Sequence, residues 1–255
     1  MAKLIFLGSA SAVAFEGHGN SFLVIKGERS SILVDCAANS TLRLKGAGIN
    51  HEEIKNLIIT HFHADHVSGL PNFLMDMWLL GRKEKLTIHG SEHSITRVKQ
   101  LMDLFDWDEW EKMYPVELKV IPLDELAEVL DTNEFRIRSS PAEHMIPTLG
   151  LRIEYPEGNF ICAYSADTNP IPQIATLADG ADVLIHEAAG PFFGHSTAAQ
   201  AGEIASQSGV NSLYLIHYGF HDGGSAESLV NEAKKTFSGN VYLAEDFLEI
   251  DMRVN

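Results

Sequence analysis

From residue 61 to residue 66 the chain reads His-Phe-His-Ala-Asp-His, four metal-ligand side chains within six positions. The hexamer follows the apolar run Leu57 to Thr60, so it sits on the turn that leaves a strand. While that turn stays locally extended, His61 and His63 project the same way, and Asp65 and His66 at the bend face a second position beside the first. This arrangement predicts two metals. Four more candidates each follow an apolar strand, where α/β sheets present ligands. They are His144 after Phe135 to Ser140, Asp167 after Phe160 to Tyr164, Glu187 after Val183 to His186, and His217 after Leu213 to Ile216. His61, His63 and His144 can hold one ion, Asp65, His66 and His217 the other, and Asp167 can bridge them around a shared water or hydroxide. Mixed nitrogen and oxygen donors suit zinc, and manganese or iron also fit. Two divalent ions roughly 3.5–4 Å apart acidify a water and clamp a substrate oxygen, which is hydrolytic machinery.

The other histidines among the twelve have plainer readings. His186 points opposite to Glu187 along a continuing strand and reads as structural or supporting. His18, His51, His89 and His93 read as surface or cap residues, and His221, four residues past His217, is a candidate for substrate contact. His195 has two fates open to it: helix entry before a cap at Ser196 or Thr197, or a general acid reaching the cleft. The two cysteines, Cys36 and Cys162, follow apolar runs and are expected as reduced core residues.

These side chains must be carried by a regular scaffold. Lys3 to Gly8, Ser21 to Lys26 and Ser31 to Asp35 predict an antiparallel meander, followed by a helix over Thr41 to Ala47 that stops at Gly48. A strand over Asn56 to Thr60, a helix over Leu70 to Leu80 with Pro71 in its first turn, a strand over Leu86 to His89 and a helix over Ser94 to Phe105 complete one half. Trp107 and Trp110 read as core or as a lid that shapes the pocket. The second half repeats the pattern, with strands over Glu117 to Ile121, Phe135 to Ser139, Gly150 to Glu154 and Asn159 to Tyr164. Helices over Pro172 to Ala178, Ala198 to Ser208 and Ser225 to Phe237 then alternate with strands over Val183 to His186, Ser212 to Ile216 and Val241 to Leu243. Two such halves pack as two mixed sheets face to face with helices outside, a four-layer αββα sandwich spanning residues 1–255 as one domain.

Composition narrows the function classes. With 45% hydrophobic and 21% charged residues, the 255-residue chain is expected to bury a sizeable core. No apolar run approaches the roughly 18–20 residues of a membrane span, and the amino terminus lacks a signal-peptide core, so the cytoplasm is the expected location. A net charge of −16 opposes broad contact with nucleic acid or anionic lipid.

The chain resembles the metallo-β-lactamase superfamily, whose marker His-x-His-x-Asp-His is matched by residues 61–66. Within it, the segments Ile-Thr-His-Phe-His-Ala-Asp-His-Val-Ser-Gly-Leu-Pro at 59–71, Tyr-Ser-Ala-Asp-Thr at 164–168, His-Glu-Ala at 186–188 and His-Ser-Thr-Ala at 195–198 are most similar to the ribonuclease Z branch. The resemblance implies the αββα fold and two divalent ions held by His61, His63, Asp65, His66, His144, Asp167 and His217. It also implies Asp65, Glu187 and His195 as catalytic residues, with Glu187 and His195 managing the leaving-group proton. Only twenty-two residues separate His144 from Asp167, where that branch commonly inserts its tRNA-gripping arm. The expectation is therefore a dinuclear-metal phosphodiesterase acting on a small ester or short phosphodiester. Three alternatives stand beside it: hydrolysis of a sulfate ester, lactone or thioester, tRNA 3′ processing, and metal binding without turnover. Long RNA as a partner is left open, no membrane is expected, and the resemblance allows a homodimer.

Overall fold

The structure, a computed structural model, describes residues 2–220 and 224–253. Its first half opens with Lys3–Gly8 (β1), Phe22–Lys26 (β2) and Ser31–Val34 (β3), an antiparallel meander of almost wholly buried residues. The chain then alternates through Ser40–Gly46 (α1), Ile54–Ile59 (β4), Ala64–Val67 (α2), Leu70–Leu79 (α3), Leu86–Gly90 (β5), Glu92–Asp103 (α4) and Val116–Val120 (β6). From β3 to β6 the pairing is parallel, as helical crossovers require.

The second half repeats this plan. Ala127–Asp131 (β7), Arg136–Ala142 (β8), Thr148–Tyr155 (β9) and Phe160–Tyr164 (β10) pair antiparallel. Pro172–Leu177 (α5), Val183–Glu187 (β11), Ala198–Ser208 (α6), Ser212–Ile216 (β12), Ala226–Ala233 (α7) and Asn240–Leu243 (β13) then build parallel pairs. Glu249–Asp251 (β14) crosses back to the edge of the first sheet beside β1. Two seven-stranded mixed sheets result, in the orders β14-β1-β2-β3-β4-β5-β6 and β13-β12-β11-β10-β9-β8-β7.

Burial follows from strand alternation. Leu4, Phe6, Leu23, Ile25, Ile137, Leu151 and Ile153 interdigitate between the sheets. Their neighbours on the opposite faces pack under α1, α3 and α4 on one side and under α5, α6 and α7 on the other. These are the four expected layers. Cys36 and Cys162 are buried and free. No helix among the described residues is long and apolar enough to cross a membrane.

Several element bounds differ for local reasons. Helix α4 begins at Glu92 because Ser91 accepts the Ser94 N–H and caps it there, and α7 stops at Ala233 rather than Phe237. Strands β7 and β14, short and charged edge strands, were not expected from the sequence pattern. His89 is buried with Nε2 3.0 Å from Asn56 Oδ1, which corrects its surface assignment. Trp107 and Trp110 are half-buried against the core under α3 and α4, with Trp110 stacked on Trp78 at 5.2 Å. They line a groove with Val116, and register places Val116 and Leu86 at the opposite end of the sheet from His61, so they do not shape the histidine site.

Candidate metal centre

The strand ends that converge at one edge of the sandwich carry the chemistry. After β4 the chain stays extended through His63, whose backbone lies in the β region, and then turns into α2, so Asp65 and His66 ride on a helical turn. His144 lies in the connection between β8 and β9, Asp167 just past β10, Glu187 at the end of β11 and His217 just past β12. Asp35, Ala166 and His217 adopt left-handed backbone conformations, with φ of 63°, 52° and 53°. For residues with a Cβ such a conformation costs about 1–2 kcal/mol, and here three fall beside the same site.

The candidate donor atoms gather in overlapping groups of three, two of which form adjoining triads. In one, His61, His63 and His144 bring ring nitrogens together; in the other, a carboxylate oxygen of Asp65 meets ring nitrogens of His66 and His217; the atoms of each triad lie within 4.8 Å of one another. Asp167 lies between them: its Oδ2 is 3.3 Å from His217 Nε2, 3.5 Å from His66 Nε2, 3.7 Å from His61 Nε2 and 3.9 Å from His144 Nε2. Asp65 Oδ2 is 3.2 Å from His217 Nε2 and 3.4 Å from His66 Nε2. His61 Nε2, His66 Nε2 and Asp167 Oδ1 are buried with no hydrogen-bond partner. Orphaned polar atoms of this kind cost about 1–3 kcal/mol each unless something binds them. Divalent cations match the donor set, so the residues present fit the group.

Supporting contacts set the ring orientations. His66 Nδ1 donates to Asp35 Oδ2 at 2.9 Å, and Asp35 also accepts from Thr60 N–H and Thr60 O–H at 2.8 Å each. His144 Nδ1 donates to the Gly194 carbonyl at 2.7 Å. In both rings the contact at Nδ1 turns Nε2 toward the centre. Gly194 has φ of 82°, and a Cβ there would stand 2.6 Å from His144 Nδ1. Asn169 ties the same region together, its N–H donating to Glu143 O and its Oδ1 accepting from Gly194 N–H.

Electrostatics agrees with this geometry. Burial, together with the neighbouring His66, holds His61 well below the ordinary histidine value. Burial also lowers His63 and His144. Burial opposes charge on His66, yet Asp167 and Asp35 raise it well above normal, and burial of Asp167 is outweighed by His217 and His66, which hold it ionised. Beside the triads, His195 Nδ1 lies 3.4 Å from Glu187 Oε1. Glu187 is buried and accepts from Ser196 N–H at 2.6 Å and Ala189 N–H at 2.8 Å. Burial lifts Glu187 above the ordinary carboxylate value; His195 is opposed by burial but raised overall by Glu187. The His195 ring stands edge-on to His144 at 4.9 Å and stacks on His217 at 5.6 Å.

All eight sequence-selected side chains, with His195, are therefore brought together. His186 is not among them: it is buried behind the strand, with Nδ1 at Glu187 O. His18 belongs to a network with Ser9, Asp246 and Arg43 under the His217 loop, where Ser9 O accepts the His217 N–H. His51 opens a short helical turn and His93 lies in the first turn of α4. His221 lies outside the described residues. Asp35, Thr60 and Asn169 were not read from the sequence, because each acts through a fold-made contact; Ser196, a cap candidate, instead gives its N–H to Glu187, and Thr197 caps α6. The only available signal was Asp35 standing at the end of an apolar strand.

Residues 2–237 match the family model described as anti-Pycsar protein Apyc1. The chain belongs to the anti-Pycsar Apyc1 family. Among curated relatives, the Apyc1-family chain is 27% identical to a ribonuclease Z from Picrophilus torridus, covering 98% of this chain and 96% of that protein. The alignment runs over 299 positions, more than the 255 residues here, so that relative carries residues without counterparts in this chain. Among solved structures, the metallo-β-lactamase fold protein YhfI from Bacillus subtilis superposes with a TM-score of 0.83 at 24% identity, covering 98% of both chains. Human tRNase Z, short form, gives 0.79 at 24% identity, covering 99% of this chain and 100% of that one. This Apyc1-family chain is a metallo-β-lactamase fold protein of the ribonuclease Z-like branch and a metal-dependent hydrolase. The fold implies divalent metal use.

Proposed function

We propose that the chain is a dinuclear-metal phosphodiesterase acting on small phosphodiesters. The observation that carries this reading is the pair of adjoining triads sharing Asp167, with His195 steered by Glu187 at their edge. In this reading His61, His63 and His144 would hold one ion and Asp65, His66 and His217 the other, with Asp167 between them. Imidazole and carboxylate donors suit zinc, and manganese or iron also fit. Bound there, two divalent ions supply Lewis acidity toward phosphoryl oxygens and an acidified water.

The chain's own residues do the rest. Asp65 places a carboxylate oxygen beside His66 and His217, where it would accept a proton from an attacking water. Asp35 and Gly194 O fix the rings of His66 and His144, so the ligand set needs little rearrangement. Glu187, anchored by backbone N–H groups, holds His195 protonated and aimed, and His195 gives its proton to the departing alkoxide. The charge of −16 and the short segment between His144 and Asp167 support a small substrate over a long RNA.

The test is hydrolysis of bis(p-nitrophenyl) phosphate, cyclic and linear nucleotide diesters, p-nitrophenyl sulfate, a lactone and a 3′-extended tRNA, with metal content measured on the same sample. Cleavage of the small diesters with about two ions per chain supports the proposal. Activity confined to the sulfate or lactone overturns the bond assigned, and efficient tRNA trimming overturns the substrate size. Asp167→Ala is expected to abolish turnover and lower metal content; a variant normal in both removes the bridging role.

A further inference from the structure

A cavity of about 670 Å³ opens against His144, one of the converging histidines. Leu123, Met145 and Ile171 give it apolar surface, and Asp124, Glu125 and Glu143 give it three carboxylates. No lysine or arginine lines it among the described residues. Glu143 is held in place by its backbone, with its N–H donating to Thr168 Oγ1 at 3.2 Å and its carbonyl accepting from Asn169 at 2.8 Å. Glu143 thus belongs to the segment that presents His144, while Asp124 and Glu125 belong to the connection between β6 and β7. A phosphodiester has two substituents, and when one departs past His195 the other needs space beside the ligands. In this reading the cavity that touches His144 takes it.

We propose that Asp124, Glu125 and Glu143 act as a charge filter on the retained substituent, admitting neutral or cationic groups and rejecting a second anion. The inference rests on the phosphodiesterase reading and adds the substrate's charge to it. The reacting phosphate bears one negative charge, which the ligand-side cations balance. A further carboxylate or phosphate on the retained substituent meets only like charge, and like-charge juxtaposition is an effective means of rejecting a wrong partner. The apolar surface of Leu123, Met145 and Ile171 serves a neutral body instead.

The experiment compares kcat/KM of the metal-loaded full chain on three esters with the same leaving group: p-nitrophenyl propyl phosphate, p-nitrophenyl 2-carboxyethyl phosphate and p-nitrophenylphosphorylcholine. At low ionic strength the carboxyethyl ester is expected to be at least about tenfold poorer than the propyl ester, and the choline ester at least equal to it. In D124N/E125Q/E143Q the propyl-to-carboxyethyl ratio should fall to about threefold or less. Using a ratio within one protein cancels any loss common to all three esters. Should that variant fail to fold, the wild-type ratio itself must narrow as salt rises to about 0.5 M, where screening is strong. A wild-type ratio near one, a ratio insensitive to salt, or an unchanged ratio in a folded variant overturns the filter while leaving the phosphodiesterase standing. No hydrolysis of any of the three overturns both.

Discussion

At the scale of single residues, the site separates candidate metal donors from the groups that hold those donors in place. Asp35 belongs to the second kind: it accepts from His66 across 31 positions of sequence. Asp35→Asn should weaken metal affinity about 10–100-fold, measured by competition with a chromogenic chelator, because it removes the charge that orients His66. Equal affinity in the variant would make that contact incidental. His195 is expected to matter most where the leaving group is a poor one. His195→Ala should lower kcat about 10²–10³-fold for an alkyl leaving group and far less for p-nitrophenolate, which departs without a proton. An equal loss on both would assign His195 to binding rather than proton transfer.

At the scale of elements, the connection from α2 to α3 is set by one close approach. A Cβ on Gly69 would stand 1.9 Å from Ala37 O, and Gly69 N–H donates to Cys36 O. Gly69→Ala should therefore destabilise the fold by roughly 3 kcal/mol or more in urea titration, since backbone rather than a flexible side chain must yield. Strand β5 carries a second consequence. Burial lowers His89 from 6.5 to about 4, with Lys119 reinforcing and Glu117 opposing the shift. The unfolded chain takes up the proton first, so the stability present above pH 6.5 is lost as pH falls toward 4. Metal-free wild type should lose on the order of 3 kcal/mol more than His89→Gln between pH 7 and 4, read by denaturant midpoints. The ligand hexamer and the strands that carry it were legible because residue type and spacing are local properties. His89 was not: its burial depends on the packing around β5, which strand periodicity does not state. Strands β7 and β14 escaped notice for a related reason, being edge pieces of mixed polarity that take their form from β8 and β1. The role of Asn169 likewise exists only once two distant loops meet.

At the scale of the whole molecule, the αββα layering followed from two halves that each pass from meander to alternation, and this survived errors of a few residues in element bounds. The family name did not follow, since the resemblance carried by the segments at 59–71 and 164–168 points to ribonuclease Z, the name the curated relatives also carry. Net charge makes its own prediction: a long single-stranded RNA should show no measurable binding at about 0.15 M salt in a filter-binding assay. Retention of such an RNA at that salt would point to a basic surface that the overall charge conceals.

The ligand-bearing segments come from both sides of the sandwich. His61, His63, Asp65 and His66 follow β4 of one sheet, while His144, Asp167 and His217 follow strands of the other. Neither half can complete either of those two triads alone, so ions bound there would act as a clasp closed across the seam between two leaves. Metal capture would then come late in folding, after the leaves have docked, and chelation of the metal-loaded chain should speed unfolding by loosening the seam rather than by softening either leaf.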